Sequence, residues 1–321
     1  MSTLITGGTG FIGAEIVRQL LTDGTTDTIH VAHRRGRFER IEDLLDDISL
    51  HQLDLSEPAA IHELIDTTRP EVIFHFGAVL TGPGEANPQA AVEANAIGTY
   101  ALLEVARLAG VRQVVFASSI GTYGLDVATA VIDDATIQRP ITVYGVTKVF
   151  GEHLGAFYHR KYGLDFRGIR YPSIVGPGVT TPSVVQYTSW VIEESVKGNP
   201  FTMTVRPDFA VPIMYYKDAA QAAIALTGAP MDSLLTSTYL VDGHRPSPTA
   251  AQLADAVRSR LPGARIDIDP DPATQAVLDA AIRPIDDSRA RAEWGWAPAY
   301  DLDAMVDDFL DEMRTNPQRY S

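Results

Sequence analysis

The sequence predicts an α/β fold, a doubly wound parallel sheet with a smaller C-terminal lobe. Three observations carry that expectation. A glycine-rich turn follows the first apolar segment directly. Short apolar segments then alternate with stretches of helical periodicity as far as residue 171. From Pro172 onward proline and glycine become dense, at Pro172, Gly176, Pro177, Gly178 and Pro182, and the alternation breaks. Strands separated by helices run parallel, because each crossover returns the chain to the same end of the sheet.

The elements follow in order. Leu4-Ile5-Thr6 is a short strand that ends in glycines. Glu15 to Thr22 places Ile16, Val17, Leu20 and Leu21 at helical spacing. Thr28 to Ala32 and Ile48 to Leu53 read as the second and third strands. Ala59 to Thr67 is a helix with Ile61, Leu64 and Ile65 on one face, and Glu71 to Phe76 is an apolar strand. Ala90 to Ala109 reads as one long helix that stops at Gly110, before a buried strand at Gln113 to Ala117. A helix from Tyr144 to Tyr162 and a strand from Asp165 to Arg170 complete the series. Residues 1–171 are thus expected to form a dinucleotide-binding domain to which later segments return, and residues 172–321 mainly a substrate-binding lobe.

Composition narrows the function. The 321 residues carry 41 acidic against 26 basic side chains, a formal charge of -15. Such a surface repels phosphate backbones and anionic lipid, so neither nucleic acid nor membrane is an expected partner. There is no cysteine, which excludes disulfides and thiolate chemistry. No apolar run approaches the roughly 20 residues of a membrane span. Met1-Ser2-Thr3 leads straight into a strand without a basic leader, and a soluble cytoplasmic protein is expected. Asp267, Asp269 and Asp271 lack the glycine and glutamate of a calcium loop, and the histidines form no ligand set, so no metal is expected.

Gly7-Gly8-Thr9-Gly10-Phe11-Ile12-Gly13 lies between the first strand and the first helix. Glycines at this spacing let a pyrophosphate approach the helix N-terminus, where free N–H groups and the dipole favour negative charge. This is a Rossmann-type arrangement, with Gly7, Gly10, Phe11, Ile12 and Gly13 at the cofactor. Asp54-Leu55, after the third strand, is placed to meet an adenine edge, a helix N-cap being the alternative reading of Asp54. The end of the second strand reads the 2′ position of the ribose. It carries His33-Arg34-Arg35 and no carboxylate before Glu39. Guanidinium groups favour a 2′-phosphate, so the cofactor is NAD or NADP with a lean toward NADP.

Tyr144 and Lys148 stand at i and i+4 and share one helix face. An ammonium beside a phenol and a positive nicotinamide ring both favour the phenolate and lower a pKa that begins near 10. The chain has four lysines, at 148, 161, 197 and 217, so one at this position is informative. Ser118-Ser119 closes the strand before that helix, at the carboxyl edge of the sheet where ligands bind. A serine hydroxyl there can hold a reacting alcohol oxygen. Ending a strand and capping a turn is its alternative use.

These residues resemble the extended short-chain dehydrogenase/reductase superfamily across essentially the whole chain. TGGTGFIG at 6–13, SSIGTYG at 118–124, YGVTK at 144–148 and RYPSIVGPG at 170–178 match its motifs in order. The resemblance implies Ser119, Tyr144 and Lys148 as the catalytic set. It also implies cofactor contacts at Gly77, Ala78, Asn95, Tyr144, Lys148 and Tyr171, substrate contacts at Thr81, Ser119, Thr180 and Thr181, and a homodimer built on the two long helices. Within the superfamily the chain resembles the short-chain L-threonine 3-dehydrogenases. The residues are Gly84-Glu85-Ala86-Asn87, Ile137-Gln138-Arg139-Pro140, Pro212-Ile213-Met214-Tyr215, Ile285-Asp286-Asp287-Ser288 and Glu293-Trp294-Gly295-Trp296. That resemblance implies hydride transfer between a secondary alcohol of a small polar substrate and nicotinamide. The chain departs from the group in having Pro182-Ser183 after Thr180-Thr181, in having Ala281 where a pocket tryptophan is usual, and in lacking an aspartate after the second strand. The alternative expectation is a nucleotide-sugar 4-epimerase or dehydratase that retains its NAD. Such enzymes commonly place an arginine seven residues before an aspartate of the lobe, and Val211 stands at that distance from Asp218.

Overall fold

A computed structural model describes residues 1–320. The first half runs β1 (Ser2–Thr6), α1 (Phe11–Asp23), β2 (Thr28–His33), β3 (Ser49–Gln52), α2 (Pro58–Thr68) and β4 (Val72–His75). Then come α3 (Thr81–Ala86), α4 (Pro88–Val92), α5 (Gly98–Ala109), β5 (Gln113–Ser119), α6 (Val143–Tyr162) and β6 (Asp165–Tyr171). The second half runs β7 (Ser173–Val175), α7 (Tyr187–Val196), β8 (Phe201–Met203), β9 (Ile213–Tyr215), α8 (Tyr216–Gly228) and β10 (Thr238–Leu240). It ends with α9 (Ala250–Arg260), β11 (Ile266–Ile268), α10 (Pro272–Ala281), α11 (Ser288–Trp294) and α12 (Leu302–Thr315).

The main sheet has seven strands in the order β10-β6-β5-β4-β1-β2-β3, all parallel. Order reverses between β1 and β4, which opens a crevice at the carboxyl ends of those strands. Successive residues of each strand feed opposite layers, as period two requires. Ile5, Phe74 and Val115 meet Ile16, Val17 and Leu20 of α1 and the alanine face of α8. Leu4, Ile73 and Val114 meet Ile61, Leu64 and Ile65 of α2 and Leu102, Leu103 and Ala106 of α5. Full burial of each such aliphatic side chain contributes about 1.5–3 kcal/mol. Two segments beyond residue 172 belong to this body: α8 packs on α1, and β10 pairs with β6. The rest of the second half has its own core, where α7, α9 and α12 converge through Val191, Ile192, Leu253, Val257, Phe309 and Leu310.

The expected single helix over residues 90–109 is interrupted. A five-residue π-helical turn, Glu93–Ile97, separates α4 from α5. It swings Asn95 inward, where the side chain accepts from the Val79 backbone N–H at 2.7 Å and donates to the Val79 carbonyl at 2.8 Å. Directly after it, a Cβ on Gly98 would lie 2.2 Å from the Leu55 carbonyl oxygen, so only glycine lets the helix come this close. The acidic stretch after residue 266 is partly structured too. β11 pairs with β8, and the Asp271 carboxylate accepts from Thr274 N–H at 2.7 Å to cap α10.

The depth at which α6 sits on the sheet is set by two glycines. A Cβ on Gly151 would come within 2.5 Å of the Phe116 ring, and one on Gly155 within 2.2 Å of the Phe166 ring. The helix therefore lies directly on aromatic rings of β5 and β6. Its first turn, held by the Thr142 hydroxyl accepting from Gly145 N–H at 3.1 Å, carries Tyr144 to the crevice.

Candidate active site

The crevice has a volume of about 530 Å³ and is lined from the glycine turn, the carboxyl ends of β2, β4, β5 and β6, and the start of α6. Gly7 has φ +70°, a left-handed conformation, and its Cβ would meet the Gly77 backbone at 2.7 Å. Gly13 is closer still, 2.3 Å from the Gly7 carbonyl oxygen. The turn is thus compact enough to bring a ligand onto the start of α1, which has neither a side-chain cap nor an acidic residue in its first turn. Those N–H groups and the dipole suit a pyrophosphate. The cradle fits a dinucleotide, and Gly7, Gly10, Phe11, Ile12 and Gly13 line it.

His33, Arg34, Arg35, Asp54, Leu55, Gly77, Ala78 and Tyr171 also line the crevice. Arg34 and Arg35 are exposed, with no side-chain hydrogen bond or ion pair among the described residues, and Arg37 joins them. Most other arginines of this acidic chain bond to a carboxylate or a carbonyl. Arg37 was missed in the sequence reading, although the same basic run pointed to it. Asp54 turns back locally: its Oδ1 accepts from the Ser56 N–H at 3.0 Å and hydroxyl at 2.8 Å. These bonds, with Arg34 nearby, hold its carboxyl below the usual range. Tyr171 presents its ring, since its hydroxyl donates to the Ala219 carbonyl at 2.9 Å.

Four expected contacts fall outside the crevice lining. Asn95 does not line the crevice. Its amide is committed to Val79 and, at 3.3 Å, to the Thr147 hydroxyl, so it braces the loop after β4 against α6. Thr81 opens α3 one residue past crevice-lining Leu80, outside the lining itself. Thr180 and Thr181 stand on the loop after Gly178, also outside it, with Thr180 exposed. The crevice instead takes Pro172 and Ile174 from this part of the chain.

Ser119, Tyr144 and Lys148 come together at the crevice wall. Ser119 both ends β5 and caps the turn that follows, its Oγ accepting from Gly121 N–H at 3.0 Å. Burial pushes the Tyr144 phenol up to about 12, the nearby Ser119 hydroxyl opposing. The residue is half-buried by surface area, so solvent screens part of this rise. The expected lowering by Lys148 is therefore absent from the protein's own groups. Lys148 Nζ donates to the Ala117 carbonyl at 2.6 Å and lies 5.4 Å from the centre of the Tyr144 ring, over its face. Burial pulls its pKa down to about 8. His75 is a satisfied core residue, with its ring nitrogens 2.8 Å from Thr6 Oγ1 and 3.0 Å from Thr99 Oγ1. Burial holds it at about 3 and hence neutral.

The chain was compared with known proteins. The sequence model of the NAD dependent epimerase/dehydratase family matches residues 3–239. The mitochondrial L-threonine 3-dehydrogenase of Bos taurus is 34% identical over 312 residues, 96% of this chain and 81% of that protein. Among solved structures, the GalE-like L-threonine dehydrogenase of Cupriavidus necator in its holo form aligns with a TM-score of 0.83 at 32% identity. That alignment covers 97% of this chain and 99% of the other. The L-threonine dehydrogenase of Phytophthora infestans aligns with a TM-score of 0.87 at 30% identity, over 98% and 99% of the two chains.

Proposed function

The chain belongs to the NAD dependent epimerase/dehydratase family, and from that premise we propose that it is an L-threonine 3-dehydrogenase-like oxidoreductase using Ser119, Tyr144 and Lys148. The observation that carries this reading is the convergence of Ser119, Tyr144 and Lys148 on the wall of a crevice fitted for a dinucleotide. A bound nicotinamide supplies the hydride acceptor and, when oxidised, a positive charge beside the phenol. Ser119 holds the alcohol oxygen with its hydroxyl. Tyr144 takes the hydroxyl proton as the C–H bond is broken. Lys148, one turn along, has its ammonium in the same wall, where it can hold ribose hydroxyls. The substrate of this reading is a small polar secondary alcohol beside an amine.

NADP is the cofactor we favour. Arg34, Arg35 and Arg37 leave their guanidinium groups free at the crevice rim, and a phosphate is the anion that suits them. A homodimer through the two long helices belongs to the same reading. Ile97, Tyr100 and Leu108 on one, and Val146, Phe150 and Tyr162 on the other, are exposed apolar side chains that a second copy would cover.

The epimerase reading is weaker on a specific ground. A nucleotide-sugar diphosphate calls for free cations in the lobe. Val211 offers none, and Arg206 is taken by Asp279 at 2.7 Å and Asp208 at 3.3 Å. The test is a panel of L-threonine, other 3-hydroxy amino acids, small alcohols and nucleotide sugars, each with NAD and NADP, followed by absorbance of the reduced nicotinamide. Steady production of free reduced cofactor supports the dehydrogenase. Sugar interconversion without net reduction overturns it.

A further inference from the structure

The helix face that carries Tyr144 and Lys148 continues into a third ionisable residue. Glu152 follows Lys148 by four positions, as Lys148 follows Tyr144, so all three share one stripe of α6. Glu152 is only 3% exposed. Its carboxylate accepts from the Ser118 hydroxyl, from Gln138 Nε2 at 3.0 Å, and from Arg170 Nε at 3.0 Å and Nη2 at 2.7 Å. Ser118 and Arg170 are register partners on β5 and β6, each one residue before a crevice residue, Ser119 and Tyr171. Arg170 also donates to the Tyr123 hydroxyl at 3.1 Å and the Asp134 carbonyl at 3.4 Å. Four segments therefore meet at one carboxylate: two strand ends, α6, and the loop that leads into α6.

A buried ion pair adds little net stability once desolvation is counted, so its worth lies in what it specifies. We propose that Glu152 is a positioning residue of the hydride-transfer site, locking the Ser119 strand end to the Tyr144 helix and supplying the counter-charge that keeps Lys148 protonated. The proposal rests on Ser119, Tyr144 and Lys148 acting as assigned above.

The groups facing Lys148 from each neighbouring element support this. On β5 it meets the Ala117 carbonyl and, at 4.8 Å, the Phe116 ring. On β4 it faces His75, which burial keeps neutral. On its own helix it lies over the Tyr144 ring, with Glu152 one turn further along. Among the described residues Glu152 is the carboxylate that acts on Lys148, and it opposes the fall that burial causes. Arg170 pairs with that carboxylate and also bonds the Tyr123 hydroxyl and the Asp134 carbonyl.

With four lysines in the chain, [13Cε]-lysine NMR resolves Lys148, assigned by its loss in Lys148→Met. Glu152→Gln should lower the Lys148 titration midpoint by roughly one pH unit, a tenfold loss of proton affinity. The alkaline limb of kcat for L-threonine should move down with it, while the dissociation constant for NADP stays within twofold. Arg170→Met, which leaves the carboxylate unpaired, should move the Lys148 midpoint the other way. Loosened packing alone would not reverse sign between the two. An unchanged midpoint in Glu152→Gln, or a shift of the same sign in both variants, overturns the proposal. Should Glu152→Gln fail to fold, Glu152→Asp keeps the charge and shortens the reach. It should hold the midpoint in place while turnover falls several-fold, and a midpoint displaced as far as one unit would overturn the proposal. Tyr144→Phe run in parallel separates the two ideas: retained turnover there refutes the catalytic assignment, whereas the Lys148 midpoint still reports on Glu152.

Discussion

The α6 wall of the crevice and the loop between β7 and α7 are built in different ways. The α6 wall rests on aromatic rings through Gly151 and Gly155, and Glu152 and Arg170 pin it to two strands. The loop between β7 and α7 lies outside the crevice lining. It is held as far as Gly178 by Arg40, whose Nη2 donates to the Pro177 and Gly178 carbonyls at 3.1 and 2.7 Å. Trp190 Nε1 fixes the Val179 carbonyl at 2.8 Å. Past that point Thr180 and residues 182–184 are exposed. Proton transfer needs atoms held to fractions of an ångström, so it sits on packed elements.

The comparison can be broken in four ways. On the rigid wall, Tyr144→Phe removes only the phenol hydroxyl. Turnover should fall roughly 10²–10⁴-fold, with cofactor affinity by fluorescence titration unchanged. At the rim, Arg34→Ala with Arg35→Ala removes charge-assisted contacts to a 2′-phosphate. The loss for NADP should be roughly tenfold to a hundredfold by isothermal titration, with NAD changing less than threefold. Equal losses would mean that these side chains do not read the 2′ position. Gly151→Ala forces a methyl into the Phe116 ring and should cost about 1–3 kcal/mol in urea unfolding, with a matching loss of turnover as Lys148 is displaced. A variant as stable as the parent would show that the helix is free to move off the sheet. Smallest of all, Thr180→Ala with Thr181→Ala should change kcat/KM for L-threonine by less than about threefold, because neither side chain lines the crevice. A tenfold loss would place this loop in contact with substrate and erase the contrast between wall and loop.

Much of the site was legible from local pattern. The glycine turn, the strand-end serine and the tyrosine–lysine pair each depend on residues within a few positions of one another, and the structure brings them to one crevice. What local pattern does not report shares a cause. Asn95 has a polar side chain on a helix near the cofactor, yet its partners Val79 and Thr147 lie 16 and 52 positions away. The π turn that directs it inward depends on Gly98 meeting Leu55, a contact no periodicity reports. Burial sets the direction of the shift on Tyr144, and spacing reports neither that burial nor the Ala117 carbonyl that takes the Lys148 ammonium.

The order of strands and helices, the acidic surface and the location of a phosphate cradle follow from the amino-acid sequence alone. Helical and strand periods, glycine conformations and net charge are properties of neighbouring residues or of the sum of residues. Which side chain faces the crevice, which is spent on a distant backbone group, and how far a phenol or ammonium departs from its ordinary pKa were set by folding. Those depend on burial and on partners brought from remote parts of the chain, as Ser118, Gln138 and Arg170 are brought to Glu152.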